Sequence, residues 1–347
     1  FTRAFCDAPT CGPSRSAILT GQPIWRLEEA GNIHSTLPKK FLTYAELLKE
    51  SGYATGFTGK GWSPGRLEVG GRDANPAGKE FQERRLKPPF RAMRNTDYAA
   101  NFDDFLAQVK KDQPFCFWLG TSEPHRGFEL GAGKRKGKDP AKVIVPKIFP
   151  DHPVVRSDIL DYYVEIEWFD SHLARAMAKL EAIGELENTL VIVTSDNGMA
   201  FPRAKANCYE FGVHVPLAIM WPERVKGSRA STDPVSFVDL TATILEAAGV
   251  VHPALGKEAL APSGQSLMPL LASGKSGRIE LTRTHVYSGR ERHSSSRYNN
   301  WTYPQRCLRS DQYLYIRNFR PDRWPAGDPQ KFNSPGKLGP MHGGSVS

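Results

Sequence analysis

The sequence predicts an α/β fold: a mainly parallel sheet covered by helices on both faces, followed by a small C-terminal α+β subdomain. Three observations predict it. Segments of helical period alternate with short apolar runs of strand length, the pattern of parallel strands joined by crossover helices. Three of those runs end in polar residues that can carry chemistry, at the strand ends where ligands gather in parallel sheets. After about residue 270 the alternation weakens into short antiparallel-type segments. This divides the chain into residues 1–270 and a C-terminal subdomain, 271–347.

Each element follows in order. Pro13 suits the first position of a helix, where its missing N–H costs nothing, and Gly21 suits the C-terminal cap. Cys11 then lies at a helix N-terminus, where unpaired N–H groups and the helix dipole favour an anion. Arg15, one turn on, directs a fixed positive charge towards the same spot. Residues 41–51 read as a helix through Leu42, Ala45 and Leu48, and 53–58 as a strand followed by Gly59-Lys60-Gly61. Residues 98–110 form a second helical pattern, and 115–119 a strand leading into Glu123-Pro124-His125-Arg126. A long amphipathic helix spans 157–183, and the strand at 190–194 ends in Ser195-Asp196-Asn197-Gly198. Residues 215–221 read as a strand and 236–248 as a helix. Short strands are predicted at 284–287, 305–309 and 313–316.

The 347 residues, 39% of them hydrophobic, suffice for one large domain and an appendage. No apolar run is long enough to span a bilayer; the longest is near 215–221. The chain starts at Phe1 without a Met or leader and closes on Gly343-Gly344-Ser345-Val346-Ser347, so it is expected to be a piece of a longer polypeptide. The five cysteines, Cys6, Cys11, Cys116, Cys208 and Cys307, show no metal-type spacing, and any pairing among them stays open.

Cys11-Gly12-Pro13-Ser14-Arg15 with Leu19-Thr20-Gly21 resembles the signature of type I sulfatases of the alkaline phosphatase superfamily, whose cysteine another protein oxidises to Cα-formylglycine. The likeness runs to about Arg317. Gly52-Tyr53-Ala54-Thr55 leading to Gly59-Lys60 looks like the family's strand-and-lysine element. Ser195-Asp196-Asn197-Gly198 looks like its second metal-binding segment. Lys205 before Tyr209-Glu210 and Gly212 resembles its sulfate-binding lysine element, and Phe237-Val238-Asp239-Leu240 with Thr243 and Gly249 a structural one. Glu123-Pro124-His125-Arg126 and the run from Asn197 to Pro202 are most similar to heparan N-sulfatases.

The resemblance implies a sulfatase in which Cys11, as the hydrated aldehyde, attacks sulfur with one hydroxyl and expels sulfate with the other. It implies Arg15 as the diol's holder, Lys60 and Lys205 on the sulfate oxygens, and His125 as proton donor to the leaving group. Arg126 joins Lys205 as a substrate-binding candidate. The metal candidates are Asp196, Asn197 and Cys11, whose oxygens suit Ca²⁺, with Mg²⁺ as the alternative. The implied partners are a sulfated carbohydrate and a formylglycine-generating or anaerobic sulfatase-maturating enzyme, in the periplasm, lysosome or exterior. Structural readings stay open: a satisfied structural histidine for His125, a solvated chain for Lys60, a purely structural lysine for Lys205, a carboxylate partner for Arg126.

Two departures stand out. Many relatives carry His where this chain has Trp62. The family's paired N-terminal aspartates would precede Phe1, and Cys6-Asp7 is no substitute, so the full-length protein is expected to supply them together with a sheet strand. Gly289-Arg290-Glu291-Arg292-His293 and Trp301 are candidates for sugar contacts. The net charge of +9 favours anionic partners. Its densest cluster, Lys134-Arg135-Lys136 with Lys138, reads as a loop that is either solvated or a rim for a sulfated polymer. A nucleic-acid partner is disfavoured, because no helix joins a basic stripe to a DNA- or RNA-reading motif. The competing functions are a phosphatase or phosphonate hydrolase on the same fold, and an inactive binder of sulfated glycans. The substrate stays open between N-sulfoglucosamine units and O-sulfated glycans.

Overall fold

The computed structural model describes residues 1–257, 259–293, 301–323, 331–334 and 337–339. The residues Gly343 to Ser347 and part of the expected C-terminal subdomain lie outside this set. The chain opens with β1 (Ala4–Phe5) and α1 (Cys11–Thr20), then α2 (Tyr44–Glu50), β2 (Ala54–Gly59), β3 (Lys79–Glu80), α3 (Tyr98–Leu106) and β4 (Phe115–Gly120). It continues through α4 (Ala132–Arg135), α5 (Pro153–Ala182), β5 (Val191–Thr194), α6 (Glu210–Val213), β6 (His214–Val215) and β7 (Leu217–Met220). Next come β8 (Val235–Ser236), α7 (Val238–Ala247), α8 (Met268–Ala272), β9 (His285–Arg290), β10 (Gln305–Ser310) and β11 (Leu314–Asn318). A short hairpin, β12 (Lys331–Ser334) and β13 (Lys337–Gly339), follows.

The β-branched and aromatic runs pair as expected for an α/β fold. β2 lies between β3 and β4, parallel to both, and Gly59 sits opposite Gly120 at the carboxyl end. β5 pairs with β7 antiparallel, and β1 joins β6 antiparallel and β8 parallel. β9, β10 and β11 form an antiparallel sheet of their own. β4 and β5 are half-buried along their whole lengths, and each pairs with one strand only among the described residues.

The main core lies under α1, α2 and α7, where Phe5, Leu19, Phe41, Leu48, Phe237 and Leu240 are buried. Each such side chain contributes about 1.5–3 kcal/mol. A second cluster, Phe81, Phe102, Phe105, Ala176 and Leu180, seals α3 and α5 onto the parallel strands. All ten residues of α1 are buried, so it is a core helix with no solvent-exposed face.

Several boundaries differ from the sequence expectation. α1 starts at Cys11 with Thr10 as its N-cap, which makes Pro13 its third residue and not its first. Proline still fits there, since first-turn N–H groups lack helical partners in any case. Gly21 caps the helix with φ 66° and donates to the Ala17 carbonyl. α2 begins only at Tyr44, because Thr43 and Glu46 form a reciprocal capping box. α3 ends at Leu106, short of residue 110. α5 starts four residues early, at Pro153, behind the His152 cap. The strand expected at 215–221 is split by Pro216, which has no N–H for the ladder. The basic cluster is not simply a loop: α4 ends at Arg135, which pairs with Glu129, and Lys138 pairs with Glu167. No helix among the described residues is long and apolar enough to cross a membrane.

Candidate active site

Helix α1 places Cys11 at its first residue, 5% exposed. The Lys205 ammonium donates to Cys11 Sγ at 3.4 Å, and Asn197 Nδ2 approaches it at 3.7 Å. Segments nearly two hundred residues apart in sequence thus meet at one buried thiol. Sγ stands where the oxygens of a hydrated formylglycine would sit.

Arg15 does not project freely towards that point. Its Nε donates to Asp196 Oδ2 at 2.8 Å, and its Nη1 donates to the carbonyls of Lys60 and Gly61, each at 2.8 Å. One guanidinium fork therefore ties the first helix to the ends of β2 and β5. Burial raises the Asp196 carboxyl, but Arg15 and Lys205 outweigh it and hold the pKa below the usual carboxylate range. Asn197 Nδ2 also donates to Asp196 Oδ1 at 2.6 Å.

Lys60 is delivered by Gly59, whose φ is 72° and where an added Cβ would lie 2.0 Å from the Gly120 carbonyl oxygen. Only glycine fits that crossing of β2 and β4. Burial lowers the Lys60 pKa, opposed by Cys11 and Asp196 and reinforced by Arg15 and Lys205. His125 stands on the exposed rim, its Nδ1 3.0 Å from the Arg126 carbonyl. Desolvation by the walls around it, then the charges of Lys205 and Lys60, lower its pKa to about 4. A bound anion would offset those two charges and return the imidazole towards its ordinary range.

Arg126 is turned to a different task. It donates to Asp158 Oδ2 at 2.6 Å and lies over the rings of Phe128 and Phe201 at 4.8 and 5.1 Å. Its Nη1 is buried with no hydrogen-bond partner among the described residues.

Trp62, at the place where the resemblance leads one to expect His, is 3% exposed and donates from Nε1 to Ser16 Oγ at 2.8 Å. It is locked against α1 as a structural residue. Asp7 accepts the Ile24 backbone N–H at 2.7 Å. Asp239 and Thr243 take the structural part expected of them: Asp239 accepts from Arg283 and the Gln265 backbone, and Thr243 accepts from the Leu267 backbone.

Two residues of the C-terminal part belong to the site in ways the sequence did not signal. His293 Nδ1 lies 2.8 Å from the hydroxyl of Thr10, the residue before Cys11. Burial, then Lys205 and Arg290, bring its pKa to about 3, so it is a neutral imidazole at working pH. Arg290 is 7% exposed, too buried for the sugar contact expected of it, and is bonded to the Lys205 loop instead. Trp301 is exposed and lies 5.2 Å from the Arg323 guanidinium.

Asp196 and Asn197 supply the hard oxygen donors that Ca²⁺ and Mg²⁺ prefer, next to Cys11. By themselves they do not make up a cation site, and both Asp196 oxygens already accept hydrogen bonds, from Arg15 and Asn197. Ca²⁺ takes about six to eight oxygens, and no group of three His, Cys, Asp or Glu among the described residues could hold a metal ion.

A buried cysteine at a helix N-terminus, with the Lys205 loop at its thiol and Lys60 just beyond the end of β2, defines an α/β protein with a cationic site suited to an anion. The chain belongs to the sulfatase family: the family described as Sulfatase matches residues 1–250. It is 27% identical to human N-sulphoglucosamine sulphohydrolase, over 92% of this chain and 66% of that protein. It is 30% identical to arylsulfatase K of Xenopus laevis, over 80% of this chain and 60% of the relative. The chain thus spans less than two thirds of the length of either. Among solved structures, the phosphonate monoester hydrolase of Silicibacter pomeroyi superposes with a TM-score of 0.71 at 19% identity, over 92% of this chain and 79% of that one, a likeness of fold.

Proposed function

We propose that the protein containing this chain is a sulfatase that hydrolyses sulfate esters or N-sulfate groups of a sulfated glycan, with Cys11 converted to formylglycine. The observation that carries this is the approach of Lys205 Nζ to within 3.4 Å of Cys11 Sγ at the head of α1. A cation there lowers the energy of charge developing on the sulfate oxygens during attack at sulfur.

In this reading Lys205 and Lys60 flank the sulfate, and the N–H groups of the first turn of α1 add partial positive charge. Arg15 keeps Asp196 and the Lys60 backbone in place around the nucleophile. His125, on the rim, hands a proton to the departing oxygen or nitrogen once the anion has raised its pKa. Arg126, next to His125 and held on Asp158, is kept in this scheme as a secondary substrate contact. A divalent cation, Ca²⁺ before Mg²⁺, would rest on Asp196 and Asn197 with ligands beyond the described residues, and would polarise sulfate oxygens when bound. No step above is routed through it. Residues 1–270 carry the nucleophile and its lysines in this scheme, and 271–347 are a smaller C-terminal subdomain. Action on sulfated polymers would fit a location in the periplasm, the lysosome or the exterior.

The test is mass spectrometry of the Cys11 peptide from the full-length protein, made alongside a formylglycine-generating or anaerobic maturating enzyme. A loss of about 18 Da relative to cysteine marks the aldehyde nucleophile that covalent catalysis needs here. Turnover of N- and O-sulfated sugars then follows. An unconverted thiol, with the maturating enzyme active on a control peptide, favours the inactive glycan binder. Faster turnover of phosphonate or phosphate esters than of any sulfate favours the other hydrolase class.

A further inference from the structure

The Lys205 loop is strained. Ala206 has φ 69° and Arg203 φ 61°, in the left-handed region that side-chain-bearing residues rarely adopt. Something must hold this turn in place, and two elements do. From below, the Ala206 N–H donates to the Pro9 carbonyl at 2.7 Å, tying the loop to the residues that lead into Cys11. From the other side comes Arg290, the last residue of β9. Its Nη1 donates to the Ala206 carbonyl at 2.5 Å and to Asn207 Oδ1 at 3.2 Å. Asn207 Nδ2 in turn donates to the Lys205 carbonyl at 3.2 Å. A continuous set of bonds runs from the C-terminal sheet, through a buried guanidinium, to the backbone that carries the lysine at the nucleophile.

We propose that Arg290 is a positioning residue: it holds the strained Ala206–Asn207 turn so that the Lys205 ammonium faces the nucleophile and the sulfate. This deepens, and rests on, the reading of Lys205 as a sulfate-binding cation. Through this one side chain the C-terminal sheet is made a condition of anion binding at the head of α1. Residue 290 therefore acts on sulfate binding, through Lys205, and not on the sugar, the opposite of what the Arg-rich stretch around it led one to expect.

The test uses the full-length, unconverted protein and inorganic sulfate as the probe, with affinity read by titration calorimetry, so turnover is not required. Four proteins form a cycle: wild type, Lys205→Met, Arg290→Met and the double variant. Loss of a charge-assisted contact weakens sulfate binding by roughly tenfold to a hundredfold in Lys205→Met. Arg290→Met is expected to weaken it about tenfold alone but less than about twofold on top of Lys205→Met, the non-additivity of residues acting through one another. Arg290→Lys keeps the charge but loses the fork, and recovers part of the affinity. Asn207→Ala, which cuts the link to the Lys205 carbonyl and leaves the arginine, follows the same pattern should Arg290→Met fail to fold. An Arg290→Met loss of equal size with and without Lys205 overturns the brace alone. A wild type that binds no sulfate overturns the reading of Lys205 and the brace with it.

Discussion

Arg15 Nε donates to Asp196 Oδ2 at 2.8 Å, across 181 residues of sequence, with the arginine side chain 6% exposed. The same guanidinium caps the Lys60 and Gly61 carbonyls. Helix α1 and the ends of two strands are thus fastened by one side chain. Replacing Arg15 with Met leaves a carboxylate and two carbonyls without their donor. The expected loss of stability is about 3–5 kcal/mol, as for other broken buried pairs. Denaturant titration checks this; a change below about 1 kcal/mol, within the range of exposed pairs, would show that Asp196 finds water instead.

His125 is read as the proton donor to the leaving group, and that role has a graded signature. His125→Ala should slow a sugar sulfate, whose alkoxide leaves poorly, by about 10²–10⁴-fold. An activated aryl sulfate, which needs no proton, should slow far less. Equal losses in kcat/KM for both substrates would return His125 to a structural role.

Trp62 blocks the obvious repair towards the family pattern. Trp62→Phe removes the bond to Ser16 Oγ and should cost about 1 kcal/mol. Trp62→His leaves most of the indole volume empty and is expected to cost about 3 kcal/mol or more. Neither should increase turnover. A faster Trp62→His enzyme would mean that the imidazole reaches the nucleophile from there after all.

Glu165 makes stability depend on pH. Burial, reinforced by the charge of Glu123, raises its pKa from 4.5 to about 7. Between those two values the folded protein keeps a proton that the unfolded chain has released, so stability falls as pH rises through that window. Glu165→Gln removes the titration. Relative to wild type it should gain a few kcal/mol on going from pH 4.5 to pH 8, at about 1.4 kcal/mol per pK unit. Thermal melts of both proteins at the two pH values decide it; parallel shifts would place Glu165 in an ordinary environment.

The candidate site positions stood out in the sequence wherever a local rule singles them out. Gly21 as a cap and Cys11 at a helix head follow from backbone geometry within a few residues. Lys60, His125 and Asp196-Asn197 are marked by the strands that precede them. The errors were also local in origin. The Thr43–Glu46 capping box and Pro153 set helix starts more sharply than the spacing of apolar residues does. Pro216 broke a run that composition alone reads as continuous.

By itself, then, the sequence determined the α/β class, the motif around Cys11 and the strand ends that carry polar groups, because periodicity and capping are properties of neighbouring residues. Tertiary structure alone decided what those groups do to one another. It brought Lys205 to Cys11, turned Arg126 onto Asp158, and gave Arg290 to the Ala206 turn and not to solvent. Such pairings depend on how distant segments pack and on which buried donors still need acceptors, and no spacing along the chain encodes that.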